Sequence, residues 1–254
     1  MSRPRQPATH GFLGGRVELV RPASGHRPGL DAALLQAGVP AGARGLAVEF
    51  GCGTGAVALS LAARCPELSL LGLDLDEMAI AEAEAARGLA ANAAFAGRVR
   101  FLRADVTDAA LAERLAPERP SLVLANPPFY LHETASPSPD ARRRLAHQAK
   151  REPLRDWIAA AARLLRKGGR LVLIHRADRL ADILRHLAPR FGGVAVLPFH
   201  PREGEAASRV LVAASLAGRA PLKLLAGRVL HLPDGGWTAE IDEVLRGRAD
   251  FALV

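Results

Sequence analysis

The sequence predicts an α/β fold: a seven-stranded, mostly parallel sheet with helices on both faces. Three observations carry that expectation. From Gly45 onward, short apolar runs of strand length alternate with Ala-rich stretches of helical periodicity. A glycine-rich turn follows the first run, and Asp74 and Asp105 follow the second and third. The chain has 254 residues, 49% of them apolar, which is enough for one domain with a sizeable core.

In chain order, residues 1–10 are expected to be a disordered tail, Pro/Arg-rich over 1–9. Residues 12–19 read as one short extended segment. Residues 29–37 read as a helix with Leu30, Leu34 and Leu35 on one face. The seven strands fall at 46–50, 68–73, 99–102, 122–125, 171–174, 194–197 and 210–213. Helices fall at 56–64 (ended by Cys65-Pro66), 77–90, 109–115 (stopped by Pro117), 154–165 (ended by Gly168-Gly169) and 179–187. A strand at 229–232 and a helix at 238–245 follow. The organisation is therefore a single domain over 11–254, with an N-terminal segment (11–44), a core (45–215) and a C-terminal extension (216–254).

Two stretches break the alternation. Residues 130–151 are rich in Pro, Ser, Arg and His, and are too long for an ordinary connection, so they read as a lid. Residues 199–208 read as a second polar loop at the same end of the sheet.

Lys and Arg number 34 against 26 Asp and Glu, a net charge of +8, which favours an anionic partner. Nucleic acid and a membrane surface both satisfy that charge. The only lysines are Lys150, Lys167 and Lys223. Cys52 and Cys65 have neither metal-ligand nor disulfide-framework spacing, so a reducing cytoplasm is expected and no metal. There is no apolar leader and no run of about 18 apolar residues, so neither a signal peptide nor a membrane span is expected.

The chemistry resides in four elements. Glu49-Phe50-Gly51-Cys52-Gly53-Thr54-Gly55 lies between a strand and a helix, where glycines let a ligand approach backbone N–H groups. Alone, it would equally suit a nicotinamide or flavin site, or a plain turn. Asp74, about 20 residues on at the next strand end, is placed to accept from two ribose hydroxyls, with Asp76 as the helix cap. Asp105 can accept from an adenine amino group, or it can serve a turn or cap, as can Asp108. The fourth element, Asn126-Pro127-Pro128-Phe129, follows the fourth strand. A conjugated amino group has a delocalised lone pair and is a poor nucleophile. An amide oxygen and a backbone carbonyl that accept its two hydrogens free that lone pair. The prolines stiffen the turn and donate nothing, and the aromatic ring stacks on a planar substrate.

Glu49–Gly55, Asp74, Asp105 and Asn126–Phe129 resemble the motifs of the amino-methylating branch of the class I, Rossmann-like methyltransferases. The resemblance covers about residues 45–213. Within that branch the chain is similar to the bacterial tRNA(Val) adenine-N6 methyltransferases, through residues 26–35, the Arg-rich lid, Arg209-Val210-Leu211 and Phe251-Ala252-Leu253-Val254. Ser121 stands where that family commonly has Asp, and Phe129 where it commonly has Tyr.

The resemblance implies S-adenosylmethionine as cofactor, held by Glu49, Gly51, Cys52, Gly53, Gly55, Asp74, Leu75, Asp105, Val106 and Asn126. Asp31 and Arg27 would belong to a segment covering it, although Asp31 also suits the start of a helix. The catalytic residues would be Asn126, Pro127, Pro128 and Phe129, and the partner RNA, specifically tRNA. A flipped or unstacked adenine would reach Phe129. Arg142, Arg143, Arg144, Lys150 and Arg151 would hold phosphates, and His132 and His147 would contact phosphate or simply lie on the surface. Protein glutamine-N5 methylation and a non-catalytic RNA-binding module are the competing functions.

Overall fold

A computed structural model describes residues 8–21, 29–128, 152–251 and 253. The chain opens with an antiparallel hairpin, β1 (Thr9–Phe12) and β2 (Val17–Val20), followed by α1 (Leu30–Ala37). Thr9 and His10, expected in the tail, instead pair with Val20 and Leu19, and residues 1–7 lie outside the described residues. The expected single extended segment is two strands, because Gly14 and Gly15, with φ of 64° and 87°, reverse the chain between them.

The seven expected strands are present as β3 (Gly45–Phe50), β4 (Leu68–Asp74), β5 (Val99–Arg103), β6 (Leu122–Ala125), β7 (Arg170–Arg176), β8 (Phe191–His200) and β9 (Arg209–Leu216). Their order is β8-β9-β7-β6-β3-β4-β5, with β9 antiparallel to both neighbours and the other described pairings among them parallel. Two two-residue strands, β10 (Lys223–Leu224) and β11 (Arg228–Val229), pair parallel with β8 and extend the sheet to nine.

The helices after α1 are α2 (Ala56–Arg64), α3 (Glu77–Arg87), α4 (Ala93–Ala96), α5 (Ala109–Arg114), α6 (Pro153–Leu164), α7 (Leu180–Leu187) and α8 (Ala239–Leu245). Their starts follow local chemistry. Asp76 and Asp108 accept from the N–H groups of Met78 and Ala110, and Pro153 occupies the first turn of α6, where its missing N–H costs nothing. Strand alternation divides the interior. Ala47 and Leu70 join the core shared with α1, α2 and α8, while Val48, Phe50 and Leu71 join the core shared with α6 and α7.

Phe199 is not in a loop. It lies in β8, fully buried, with its ring edge-on to Phe251 at 5.3 Å. Pro198 suggests a strand end, yet it is tolerated mid-strand. Val196 and His200 offer their carbonyls outward to Leu225 and Leu230, so Pro198 faces the gap between β10 and β11, where no ladder donor is needed.

Two polar ties fix the parts that flank the core. Buried Asn92 donates to the carbonyls of Ala86 and Glu18, both at 2.7 Å, and accepts from Glu18 N–H at 3.1 Å, docking the hairpin on α3. Arg64 donates to Gln36 Oε1 at 2.9 Å, to the carbonyls of Gln36 and Val39, and to Asp250 at 3.1 Å. It thereby joins α1, α2 and the C-terminal extension.

Candidate active site

A cleft of about 710 Å³ opens at the C-terminal edge of β3 and β6, the end at which parallel α/β sheets bind ligands. Its walls are Gly29–Ala32 at the start of α1, Glu49 and Gly51–Thr54 after β3, Ala56 and Val57 in α2, Asn126–Pro128 after β6, Ser208-Arg209 and Leu230. The lining gathers sequence positions some 200 residues apart. Its volume lies within the ~300–1,000 Å³ of small-molecule and cofactor sites.

The glycine turn is backbone-built. Gly51, Gly53 and Gly55 have φ of 63°, 51° and 83°, a region that L side chains avoid. Cys52 N–H donates to Leu73 O at 3.0 Å, and Gly53 N–H to Asp74 Oδ2 at 2.9 Å, so β4 holds the turn in place. A Cβ on Gly51 would fall 2.7 Å from the Trp157 ring, and one on Gly55 2.6 Å from Phe101, whereas nothing lies within 4 Å of a Cβ on Gly53. Gly53 is thus the glycine of this turn with open space before it. That space and the cleft volume suit a nucleoside cofactor of drug-like size.

Glu49 is buried in the cleft wall, and its Oε2 accepts from Ala58 N–H at 2.9 Å. Gly55 cannot cap α2 with a side chain, so Glu49 satisfies an orphan N–H of that helix from the neighbouring strand. Burial raises the Glu49 pKa well above the usual value; the Ala58 bond opposes this and the Asp74 charge adds to it. Burial, with Glu49 and Asp74 nearby, also pushes the Cys52 thiol up, so it remains protonated and is no nucleophile.

Asn126 ends β6. Its Oδ1 is buried and has no hydrogen-bond partner among the described residues. Pro127 is buried and Pro128 exposed beside it. Across the cleft, Arg209 Nε lies 3.1 and 3.2 Å from the two carboxylate oxygens of Asp31, a pair that is 30% and 21% exposed.

Of the predicted site residues, Asp31, Glu49, Gly51, Cys52, Gly53, Asn126, Pro127 and Pro128 meet at this cleft, while Gly55, Asp74, Leu75, Asp105 and Val106 lie behind or beside its lining. Asp74 Oδ1 accepts from Asp76 N–H at 3.0 Å, completing its grip on the turn. Leu75 is 60% exposed beside it, and Val106 is buried in the core. Asp105 Oδ1 accepts from the N–H and hydroxyl of Thr107 at 2.8 and 2.6 Å, which is the turn role. Ser121 sits at the opposite end of the sheet, its hydroxyl within 3.0 Å of Arg44 O, consistent with no catalytic part. Phe129, Arg27, His132, His147 and the whole 130–151 lid lie outside the described residues.

Thr54, Ala56, Val57, Ser208, Arg209 and Leu230 line the cleft without having been singled out as site residues. The first three simply continue the glycine turn into α2. Arg209 carried a family resemblance but no assigned role, and nothing local in the sequence marks Leu230. Among the described residues, no group of three or more His, Cys, Asp or Glu is placed to hold a metal, and no helix is long and apolar enough to cross a membrane.

The sequence is similar to known proteins over the same elements. A tRNA1(Val) (adenine(37)-N6)-methyltransferase of Porphyromonas gingivalis is 35% identical over 166 residues, 64% of this chain and 63% of the relative; a second strain's protein is 34% identical over 68% of each chain. The release factor glutamine methyltransferase of Chlorobaculum tepidum is 31% identical over 59% of this chain and 52% of its own length. Among solved structures, a predicted O-methyltransferase from Agrobacterium tumefaciens superposes with a TM-score of 0.73 at 30% identity, covering 87% of this chain and 98% of its own. The methyltransferase small domain model matches residues 29–199, which include α1, the glycine turn and Asn126–Pro128. The chain belongs to the methyltransferase small domain family.

Proposed function

We propose that this protein uses S-adenosylmethionine to methylate the exocyclic N6 of an adenine in RNA, with tRNA as the RNA, in the cytoplasm. The observation that carries this reading is Asn126 Oδ1, a buried acceptor in the wall of the cleft without a partner among the described residues. Leaving such an atom unmet costs about 1–3 kcal/mol. A substrate N–H offsets that cost, and an exocyclic amino group supplies it.

The cofactor brings an electrophilic methyl group bound to sulfonium. Gly51, Cys52 and Gly53 would present their backbone to it, and Asp31 and Glu49 line the same cleft. Asp74 spends one lone pair on each oxygen in holding Gly53 and Asp76, and keeps others for ribose hydroxyls. Gly55 completes the glycine turn, and Leu75, Asp105 and Val106 follow the strands that flank it. Asn126 accepts one amino hydrogen and the carbonyl of Pro127 the other, which localises the nitrogen lone pair for attack. Pro127 and Pro128 hold that pair of acceptors rigid, and Phe129 stacks on the base. As the N–C bond formed, the sulfur–methyl bond would break and a neutral thioether would leave. The amino proton, made acidic on the methylated cationic nitrogen, would pass to solvent, so no general base is needed beforehand.

The net charge of +8 supports RNA as partner. The same acceptors would suit a glutamine side-chain amide, the acceptor named for the Chlorobaculum tepidum relative. Incubation with methyl-labelled cofactor and either total RNA or a release factor separates the two. Label recovered as N6-methyladenosine is expected; label in protein alone overturns the reading.

A further inference from the structure

The extension beyond β9 carries an aromatic pair that begins one residue after a residue of the cleft lining. Leu230 lines the cleft, and the next residue, His231, donates its backbone N–H to Pro201 O at 3.0 Å. The His231 imidazole lies on the Trp237 indole with centroids 4.2 Å apart and planes inclined by 27°. Trp237 is one of only two tryptophans in the chain and remains 38% exposed. His231 stacks on one side of the indole.

The pair is held stiffly. Leu232 N–H donates to Gly236 O at 2.8 Å, Gly235 N–H to Leu232 O at 2.9 Å, and Gly236 N–H to Asp234 Oδ1 at 2.9 Å. Thr238 ties the far end through its N–H to Leu230 O at 3.0 Å and its hydroxyl to Val229 O at 2.9 Å. His231 Nδ1 lies 3.2 Å from Gly235 O. A carbonyl only accepts, so Nδ1 carries the proton and the ring cannot turn without losing that bond. A flexible surface tryptophan would need none of these ties.

We propose that His231 and Trp237 form a stacking platform for an unpaired nucleobase next to the target adenine in the RNA substrate. The proposal rests on the RNA reading above. An aromatic face set rigidly beside a site for one unstacked base suits a second, because every base presents a π-face and stacking needs no particular sequence. It would hold the strand next to the extruded adenine, whereas phosphate contacts alone leave the strand free to slide.

The test is equilibrium binding of a substrate stem-loop RNA, with tryptophan emission as a second readout. RNA should quench the wild-type emission, and most of that quench should vanish in Trp237→Phe, which still binds. Trp237→Ala should weaken RNA binding about tenfold, within the range measured for base–aromatic stacking, and leave affinity for the methyl donor unchanged. The factor should be the same at low and high salt, since stacking releases no counterions.

Unchanged affinity and unchanged quenching in Trp237→Ala would overturn the platform while RNA methylation by the wild type continued. A wild type that methylates no adenine in RNA overturns the RNA reading and the platform with it. A change from dimer to monomer in Trp237→Ala would assign the surface to a second copy of this chain, and would also overturn the proposal.

Discussion

Arg209 meets Asp31 across 178 positions of sequence, with Nε 3.1 and 3.2 Å from the two carboxylate oxygens, and so ties the first turn of α1 to the first residue of β9 over the cleft. The pair is partly exposed, so its worth to stability is at most about 1 kcal/mol, a melting shift of about 2–4 °C at this chain length. Its larger effect is on the cleft. Arg209→Leu is expected to lower kcat/KM at least tenfold with only that small melting shift. Asp31→Asn should do the same, and the double variant should be no worse than either single one, as expected of residues acting together. Additive losses would separate the two residues.

Asn126→Ala should reduce methyl transfer by about 10²–10³, the usual loss when one positioned hydrogen-bonding group is removed from a reacting centre. Calorimetric affinity for the methyl donor should stay near wild type. Because Oδ1 has no partner to lose among the described residues, the melting temperature should hold or rise. A drop of several degrees would make Asn126 a structural residue.

Gly53 and Gly55 separate cofactor access from folding. Alanine at either position costs about 1–2 kcal/mol of left-handed backbone strain. At Gly55 the new Cβ also meets Phe101 at 2.6 Å, adding roughly 1–3 kcal/mol of overpacking. Gly53→Ala should therefore melt closer to wild type, yet bind the methyl donor far more weakly, because its Cβ occupies the open space of the cleft. Denaturant titration and donor binding on the two variants check the contrast.

Glu49 gives a pH dependence with a defined sign. Its folded-state pKa is raised by burial, so between the ordinary value of 4.5 and that raised value the folded state binds more protons than the unfolded state. The stability associated with the protonated carboxyl is full below 4.5 and is lost as pH rises toward the folded pKa. Glu49→Gln keeps an acceptor for Ala58 N–H and never ionises. Its melting temperature relative to wild type should climb steadily from pH 4.5 upward; a flat difference would mean that Glu49 is already charged in the folded protein.

Much of this was legible in the sequence because it is local. Strand β6 was expected at its observed limits, and the caps at Asp76 and Asp108, the glycine turn and the Asn126 turn each follow from a few neighbouring residues. The misses have physical causes. Pro198 reads as a strand end, and only the gap between β10 and β11 shows why it is tolerated. Thr9 and His10 looked like tail because their pairing partners, Val20 and Leu19, lie beyond the turn. Glu49 stands in the cleft wall as its motif suggests, but its added role as a cap on α2 was not legible, because that depends on a strand lying beside a helix start. Arg209 and Leu230 reach the cleft only through the antiparallel return of β9 and the parallel pairing of β11, and no short motif encodes either.

The most direct measurement is mass spectrometry of nucleosides from RNA incubated with this protein and isotopically labelled methyl donor. Wild type should place the label in N6-methyladenosine of tRNA, and Asn126→Ala should place almost none there at equal donor occupancy. Label on protein glutamine, on a ribose or other oxygen, or undiminished label with Asn126→Ala would contradict the account.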